Sequence, residues 1–320
     1  MAADELNVVL GAGPVGRALI SLLHGRGVPL RVVTRSGSAD VPEGVEVVAA
    51  DLSRADEAVR ACAGASIVYS CVGIGYREWP ERWPPLMAGM LAGAEAAGAR
   101  FIFADNLYMY GPREGLLTEA LPLTDYGRKP ATRAHITRMW QVAHAEGRVQ
   151  AAAVRASDFY GPSVRKAVLG NATFARIVQG MGALCLGDVD QPHSFTYVPD
   201  IARALVTIGE ADETAWGRAW HVPNAPDRTV REILTMFAEA SGQELKISAL
   251  PRWLHAIVGL FDEDMRELKE MRYQWEWPFC VDASAFTDAF DMEVTPFDEG
   301  IAQTLAWYRE RLRQRKEAQK

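Results

Sequence analysis

The sequence predicts an α/β fold: a doubly wound parallel sheet followed by a smaller C-terminal α+β substrate lobe. Three observations carry this. Short β-branched runs alternate with helical stretches of ten or more residues through the first half. A glycine-rich turn, Gly11-Ala12-Gly13-Pro14-Val15-Gly16, joins the first such run to the first helical stretch. After Gly161-Pro162 the alternation stops, and 320 residues make roughly two domains at about 150 residues each. The expected division is 1–160, with returning segments near 195–225, for the sheet domain and mainly 161–320 for the lobe.

Leu6 to Leu10 reads as the first, buried strand. Pro14 to His24 reads as a helix whose apolar stripe is Val15, Leu19, Leu22 and Leu23. Leu30 to Thr34 and Val45 to Ala49 read as the next two strands. Ser53 reads as the opening of a helix, with Asp56 as a weak capping-box partner. Ser66 to Val72 is the fourth strand, and a helix is expected after Pro84-Pro85. Phe101 to Ala104 is the fifth strand, Ala131 to Glu146 a helix, and Gln150 to Arg155 the sixth strand. Such units close as right-handed βαβ crossovers. In the second half strands are expected to be rare, with helices at about 199–209, 229–241, 264–275 and 298–316. Thr229-Val230-Arg231-Glu232 is a capping box. Arg309 to Lys320 carries six Lys/Arg against two Glu, which reads as a solvated helix end suited to the C-terminal dipole.

Composition narrows the function classes. Hydrophobic residues make up 49% and charged residues 23%, as in globular chains, which excludes disorder. The net charge, 34 − 41 = −7, argues against a nucleic-acid partner, which calls for a basic face. It still permits an anionic cofactor, which needs only a local positive field. No apolar run approaches the ~18 residues of a membrane helix, and the acidic start shows no signal peptide. Cys62, Cys71, Cys185 and Cys280 have no CxxC spacing, so no metal site or disulfide framework is expected and the chain reads as reduced and cytoplasmic.

The glycine turn is the strongest chemical signal. Gly11 permits the tight bend, Gly13 lets backbone approach a pyrophosphate, and Gly16 allows close helix–strand packing. Pro14 and Val15 open the helix whose N-terminal amides face the phosphates. The turn reads as a Rossmann-type dinucleotide site. At the end of the second strand Thr34-Arg35-Ser36 replaces the acidic residue that would hold a ribose 2′-hydroxyl. Arg35 suits a 2′-phosphate, with Ser36 as a second donor, so NADP(H) is favoured and NAD(H) is admitted. Asp51-Leu52 and Val72-Gly73 end strands at the same carboxyl edge, where cofactor contacts collect.

On these residues the chain resembles the extended short-chain dehydrogenase/reductase superfamily, the NAD(P)-dependent epimerase/dehydratase group. The resemblance continues through Phe101 to Gly111, Arg155 to Pro162, Ser194 to Ala202, and Pro296 to Ile301 with Thr304 and Trp307. It implies a cofactor domain with a smaller lobe closing over a small-molecule substrate, and pairing through helices into a possible homodimer. It also implies a Ser or Thr with a Tyr and Lys spaced Y-x-x-x-K, in which Lys lowers the Tyr pKa and Tyr exchanges a proton with the substrate oxygen.

The chain departs from that set. Asn106 stands where the Ser is expected, and an amide still donates to a carbonyl. Tyr126 and Lys129 are three apart, Lys129 and Arg133 four apart, and Pro130 marks a helix start that leaves Tyr126 in the preceding loop. If the chain stays extended after the fifth strand, Asn106, Tyr108 and Tyr110 share one side, and Tyr108 can supply the missing acid. Lys129 is assigned to the cofactor ribose or the substrate, and Arg133 to a substrate anion or a helix neighbour. Ser157 is placed beside the nicotinamide, with Phe159 and Tyr160 lining the pocket. His193 reads as a hydrogen-bonded surface residue rather than a catalyst, and Trp275, Trp277 and Phe279 as core or substrate wall. The expected activity is NADP(H)-dependent hydride transfer, or an epimerase or dehydratase cycle, on a small carbonyl or hydroxyl compound. The alternative is a catalytically silent NADP(H)-binding sensor.

Overall fold

The computed structural model describes residues 5–250 and 266–318. The first half runs β1 (Leu6–Leu10), α1 (Pro14–Gly25), β2 (Leu30–Thr34), β3 (Glu46–Ala49), α2 (Ala55–Cys62), β4 (Ala65–Ser70), α3 (Trp79–Ala97), β5 (Arg100–Asp105), α4 (Arg128–Ala145) and β6 (Ala151–Arg155). The second half adds β7 (Asp158–Tyr160), α5 (Phe174–Val178), β8 (Ala183–Leu186), β9 (Pro192–His193), β10 (Phe195–Tyr197), α6 (Val198–Glu210), β11 (Ala219–His221), β12 (Arg228–Thr229), α7 (Val230–Ser241) and β13 (Ile247–Leu250). It ends with α8 (Tyr273–Glu276), α9 (Ser284–Ala289) and α10 (Phe297–Glu317).

The central sheet has the order β11-β6-β5-β4-β1-β2-β3, and every pairing is parallel. A strand covered on both faces needs apolar side chains at consecutive positions. Val8, Val9 and Leu10 accordingly point alternately into two cores. Val8, Leu10, Val68, Phe101 and Phe103 pack under α2, α3 and α4, while Val9, Ile67, Tyr69 and Ile102 pack under α1 and α6. The chain moves outward from β1 to β3, then returns through α2 to β4 on the other side of β1. That reversal opens a crevice at the carboxyl ends of β1 and β4. A third core, with Tyr160, Phe174, Phe195, Phe237, Phe297 and Tyr308, gathers α5, α7 and α10 in the second half.

Several local expectations change. The helix expected after Pro84-Pro85 begins at Trp79 and contains both prolines. A proline inside a helix forfeits a backbone bond. The gain lies in burying Trp79 and Trp83, the latter edge-on to Phe103 at 5.8 Å. Ser53 does not cap α2, because its hydroxyl donates to Asp51 Oδ1 at 2.6 Å and Arg54 takes the N-cap. Strands are short rather than rare in the second half: β7–β10 and β8–β13 are parallel pairs, and β9–β12 is antiparallel. The helix expected over 264–275 falls partly outside the described residues, and its described part holds a 3-10 turn, Lys269–Met271, and the start of α8. The Thr229–Glu232 capping box is present.

Candidate active site

The glycine turn lies between β1 and α1 as its residue types require. Gly11 has φ +94°, and a Cβ there would lie 2.8 Å from the Cys71 carbonyl oxygen. A Cβ on Gly16 would lie 2.1 Å from the Gly11 oxygen, so helix and turn touch through backbone. At Gly13, the N-cap of α1, a Cβ would meet nothing within 4 Å. Packing therefore does not bar a side chain at Gly13, which borders the open space in front of the helix. No side chain caps α1, so its first-turn amides face that space. Pro14 and Val15 form the first turn. This cradle fits a dinucleotide pyrophosphate on geometry.

Around it stand the other expected cofactor residues. Thr34 and Ser36 both donate hydroxyls to the Ser38 carbonyl at 3.3 Å. Arg35 between them is exposed, with no hydrogen bond or ion pair among the described residues. Its charge still reaches Glu78, whose carboxyl is held low first by Arg82 and more weakly by Arg35. Asp51 accepts from the Ser53 amide and hydroxyl, and these bonds hold its carboxyl below the usual range. Leu52 is buried, and its carbonyl lies where a Cβ on Gly89 of α3 would be 2.0 Å away. Asp51 thus shapes the turn while Leu52 anchors it. Val72 is half-buried, and Gly73 beyond it is exposed with open space at its Cβ position.

The segment after β5 does not stay extended. The Asn106 carbonyl Oδ1 accepts from the Tyr108 amide at 3.0 Å, and a 3-10 turn, Tyr108–Tyr110, comes next. The alternation expected of Asn106, Tyr108 and Tyr110 is therefore replaced by divergence. Tyr108 lies against Trp79, ring centroids 5.8 Å apart, and its hydroxyl is 3.0 Å from that of Tyr76. Tyr110 turns away, accepting from Arg155 Nη1 at 2.6 Å and meeting His221 Nε2 at 2.8 Å. Burial pushes the Tyr108 phenol well above its ordinary range, with the Tyr76 and Asp158 charges adding to the effect. Burial likewise pushes Tyr76 up to about 12. Both phenols are thus protonated at neutral pH and act as O–H donors.

The expected replacements for the missing Tyr and Lys separate. Tyr126 is exposed in the loop before α4, its hydroxyl 3.5 Å from the Glu270 carbonyl. Lys129 is buried, its ammonium 2.6 Å from both Glu267 and Glu270 carboxylates and 6.0 Å from the Tyr76 ring centroid. Arg133, one turn along, points inward: Nη1 is 3.1 Å from Asp105 Oδ1 and the guanidinium lies over Trp79 and Trp83. Burial lowers the Arg133 pKa, Asp105 opposing this. Ser157 is buried, its hydroxyl donating to the Ser194 carbonyl and its amide to Thr196 Oγ1.

Tyr76, Asp158, Glu267 and Glu270 reach this region with no role assigned to them from the sequence. Tyr76 opens the 3-10 turn Tyr76–Glu78 after β4, where its position two residues past Gly73-Ile74 was the available clue. Asp158 opens β7, accepts from Trp275 Nε1 at 3.0 Å, and adds charge felt at Tyr76, Tyr108 and Tyr273. His193 is no surface residue. It is buried in β9 between Phe195 and Phe279, its Nε2 3.2 Å from Asp158 Oδ2, because β9 is tucked beside Phe279. Trp275 and Phe279 are buried whereas Trp277 is exposed, so the aromatic trio splits. Glu267 and Glu270 gave no sequence signal toward Lys129, lying 138 and 141 residues further on (267 − 129 and 270 − 129). No group of three or more metal-binding side chains occurs among the described residues, and none of their helices is long and apolar enough to cross a membrane.

The cradle, the two phenols and the buried cation suit binding a nucleotide and hydrogen-bonding a substrate oxygen. The family model for NAD-dependent epimerases and dehydratases matches residues 8–222. No curated protein matches. Among solved structures, the fold is similar to an epimerase from Methanothermobacter thermautotrophicus, with TM-score 0.82, 19% identity, 99% of this chain and 96% of that one covered. It is also similar to the UDP-glucose 4-epimerase of Thermus thermophilus in complex with NAD, with TM-score 0.74, 19% identity and coverage of 95% and 99%. A third is UDP-glucuronic acid 4-epimerase from Bacillus cereus with UDP-glucuronic acid and NAD, with TM-score 0.77, 15% identity and coverage of 95% and 99%.

Proposed function

The chain belongs to the NAD-dependent epimerase/dehydratase family, and from that premise we propose that it interconverts a hydroxyl and a carbonyl group on a sugar-like small molecule. The observation that carries this reading is the pairing of the buried Tyr108 phenol with the half-buried Tyr76 phenol, 3.0 Å apart, at the carboxyl edge beside Lys129. The nicotinamide, when bound, supplies reversible hydride acceptance. Gly11, Gly13 and the first turn of α1 would hold its diphosphate. Tyr108 donates its O–H to the substrate oxygen, and Tyr76 holds Tyr108 in place through the shared hydrogen bond. Trp79 stacks on Tyr108 and excludes water from one side of its ring. A nucleotide sugar is the first substrate class to try, because two of the similar solved structures are nucleotide-sugar 4-epimerases.

Arg35 supports a preference for NADP(H). It is a cation at the ribose-facing turn, not committed to any described partner. Arg35→Ala is expected to weaken NADPH binding about tenfold, the loss of one charge-assisted contact, and to leave NADH nearly unchanged. Equal affinity of the native protein for both nucleotides would refute the preference.

The test of the activity is turnover of a nucleotide-sugar panel with either nucleotide, with products resolved by NMR. Tyr108→Phe is expected to reduce kcat about a hundredfold, as loss of a general acid does, with cofactor affinity intact. An unchanged rate would remove Tyr108 from the chemistry. A silent nucleotide-binding sensor is the second reading. It is favoured by the raised Tyr108 phenol and by a Lys129 committed to carboxylates instead of to a Tyr. Tight cofactor binding with no turnover on the panel would select it.

A further inference from the structure

Helix α4 begins without a cap of its own. Gly127 is the N-cap, with no side-chain cap at that position. The cap arrives from the other half of the chain. Glu270 Oε2 accepts from the Arg128 amide at 2.8 Å, and Oε1 accepts from the Lys129 amide at 3.1 Å. The same Oε1 accepts from the Lys129 ammonium at 2.6 Å. Glu267 Oε2 lies 2.6 Å from that ammonium as well. A Cβ on Gly127, which has φ +59°, would lie 2.5 Å from Glu270 Oε2. The glycine therefore serves both the turn and the incoming carboxylate. Tyr126 and Tyr273 meet edge to face alongside, ring centroids 6.0 Å apart.

An ammonium has three N–H donors and no acceptor. Two carboxylates at Lys129 leave one N–H donor. A single remaining donor matches one acceptor oxygen, such as that of a hydroxyl group. Lys129 also sits 6.0 Å from the ring centroid of Tyr76, the phenol paired with Tyr108. We propose that Glu270, assisted by Glu267, is a positioning residue. It fastens residues 266–276 across the first turn of α4 and holds the Lys129 ammonium as a single oriented donor to a ligand hydroxyl. The hydroxyl belongs either to the cofactor ribose or to the substrate. The single-donor role of Lys129 rests on the proposed function; the fastening does not.

The experiment uses the full chain and the variants Glu270→Gln, Glu270→Ala, Lys129→Met and Glu270→Gln/Lys129→Met. Hydrogen exchange is followed in peptides covering 126–133 and 266–276, with 11–25 as reference. Glu270→Ala is expected to raise exchange about tenfold or more in the first two peptides alone, because local opening then lacks its closing contact. Glu270→Gln keeps an amide oxygen for the backbone donors and should give a smaller rise; it carries this arm if the alanine variant fails to fold. Ligand affinity is read by titration with NADP+ and with NAD+, then with UDP-glucose at saturation with the nucleotide that binds. Glu270→Gln should weaken either the nucleotide or UDP-glucose about fivefold, and in the Lys129→Met background by less than about twofold, as expected for coupled neighbours. Loss on the nucleotide marks the ribose, and loss confined to UDP-glucose marks the substrate. Native exchange in both peptides of the glutamine and alanine variants would overturn the fastening. An equal loss of affinity with and without Lys129, or none for a ligand that the native protein binds, would overturn the positioning. If the native protein binds neither nucleotide nor UDP-glucose, the function reading fails and the single-donor role falls with it, while exchange still decides the fastening.

Discussion

Gly13 and Gly16 stand three residues apart and are glycine for different reasons. Gly16 is forced by packing, since its Cβ would be 2.1 Å from the Gly11 oxygen, whereas Gly13 faces open space. Gly16→Ala should therefore destabilise the fold by about 3 kcal/mol, as overpacking against backbone does. Gly13→Ala should change stability by less than about 0.5 kcal/mol, as at an exposed position, yet weaken nucleotide binding severely. Urea denaturation and nucleotide titration of the two variants separate these roles. Similar stability losses in both would place Gly13 in the packing instead. At Asn106 a single amide decides a larger matter. By accepting the Tyr108 N–H it turns the chain, sending Tyr108 toward Tyr76 and Tyr110 toward Arg155. Residue type announced a polar group there, but not which of its functions, substrate contact or turn formation, would prevail.

Among the elements, α3 and α7 show opposite relations between local signal and outcome. In α7, Thr229 and Glu232 satisfy each other's backbone donors reciprocally, so the helix start was readable from four residues. Thr229→Ala should cost about 1 kcal/mol, measured by chemical denaturation, and no loss would mean that tertiary packing alone sets that end. In α3 the local signal misleads. Two prolines interrupt the backbone bonds, and the helix persists because Trp79 and Trp83 bury against Phe103 and the Arg133 guanidinium. Trp83→Ala should cost about 3–5 kcal/mol, the range for deleting a buried aromatic. A much smaller loss of thermal stability would show that the prolines are tolerated for another reason. Helix α4 is a third case, with its start completed by Glu270 from outside the element.

At the scale of the molecule, a buried polar chain joins α4 to three sheet strands. Arg133 meets Asp105 at 3.1 Å, and Arg155 Nε is 3.5 Å from the other Asp105 oxygen. Arg155 donates to Tyr110, which meets His221 Nε2. His221 Nδ1 lies 2.9 Å from the Asp282 carbonyl, which can only accept, so Nδ1 carries the proton and Nε2 accepts from Tyr110. Burial lowers His221 from 6.5 to about 4. The folded state therefore holds this imidazole neutral where the unfolded chain binds a proton. Stability from this group is present above the unfolded value and is lost as pH falls from 6.5 toward 4. A midpoint of thermal unfolding that declines in this window, with a shallower decline in His221→Gln, is expected; an identical pH slope in both would exclude His221 as the cause. Breaking the network at its centre, Asp105→Asn, should cost about 3–5 kcal/mol because two buried guanidinium groups lose their carboxylate.

The sequence alone determined six of the seven sheet strands, the glycine turn and the family, while the edge strand β11 was not read from it. Each depends on residues close along the chain: a strand's apolar run, three glycines within six positions, a helix's first turn. Local order suffices there because backbone geometry and helix amides act over a few residues. The tertiary structure decided the polar partners. Lys129 answers to carboxylates 138 and 141 residues away, Tyr108 to Tyr76, and His193 to Asp158. A charge or phenol finds its partner through the folding of distant segments into one low-dielectric crevice. Spacing along the chain records the chemistry each residue can offer, while the folded contacts select the role it takes.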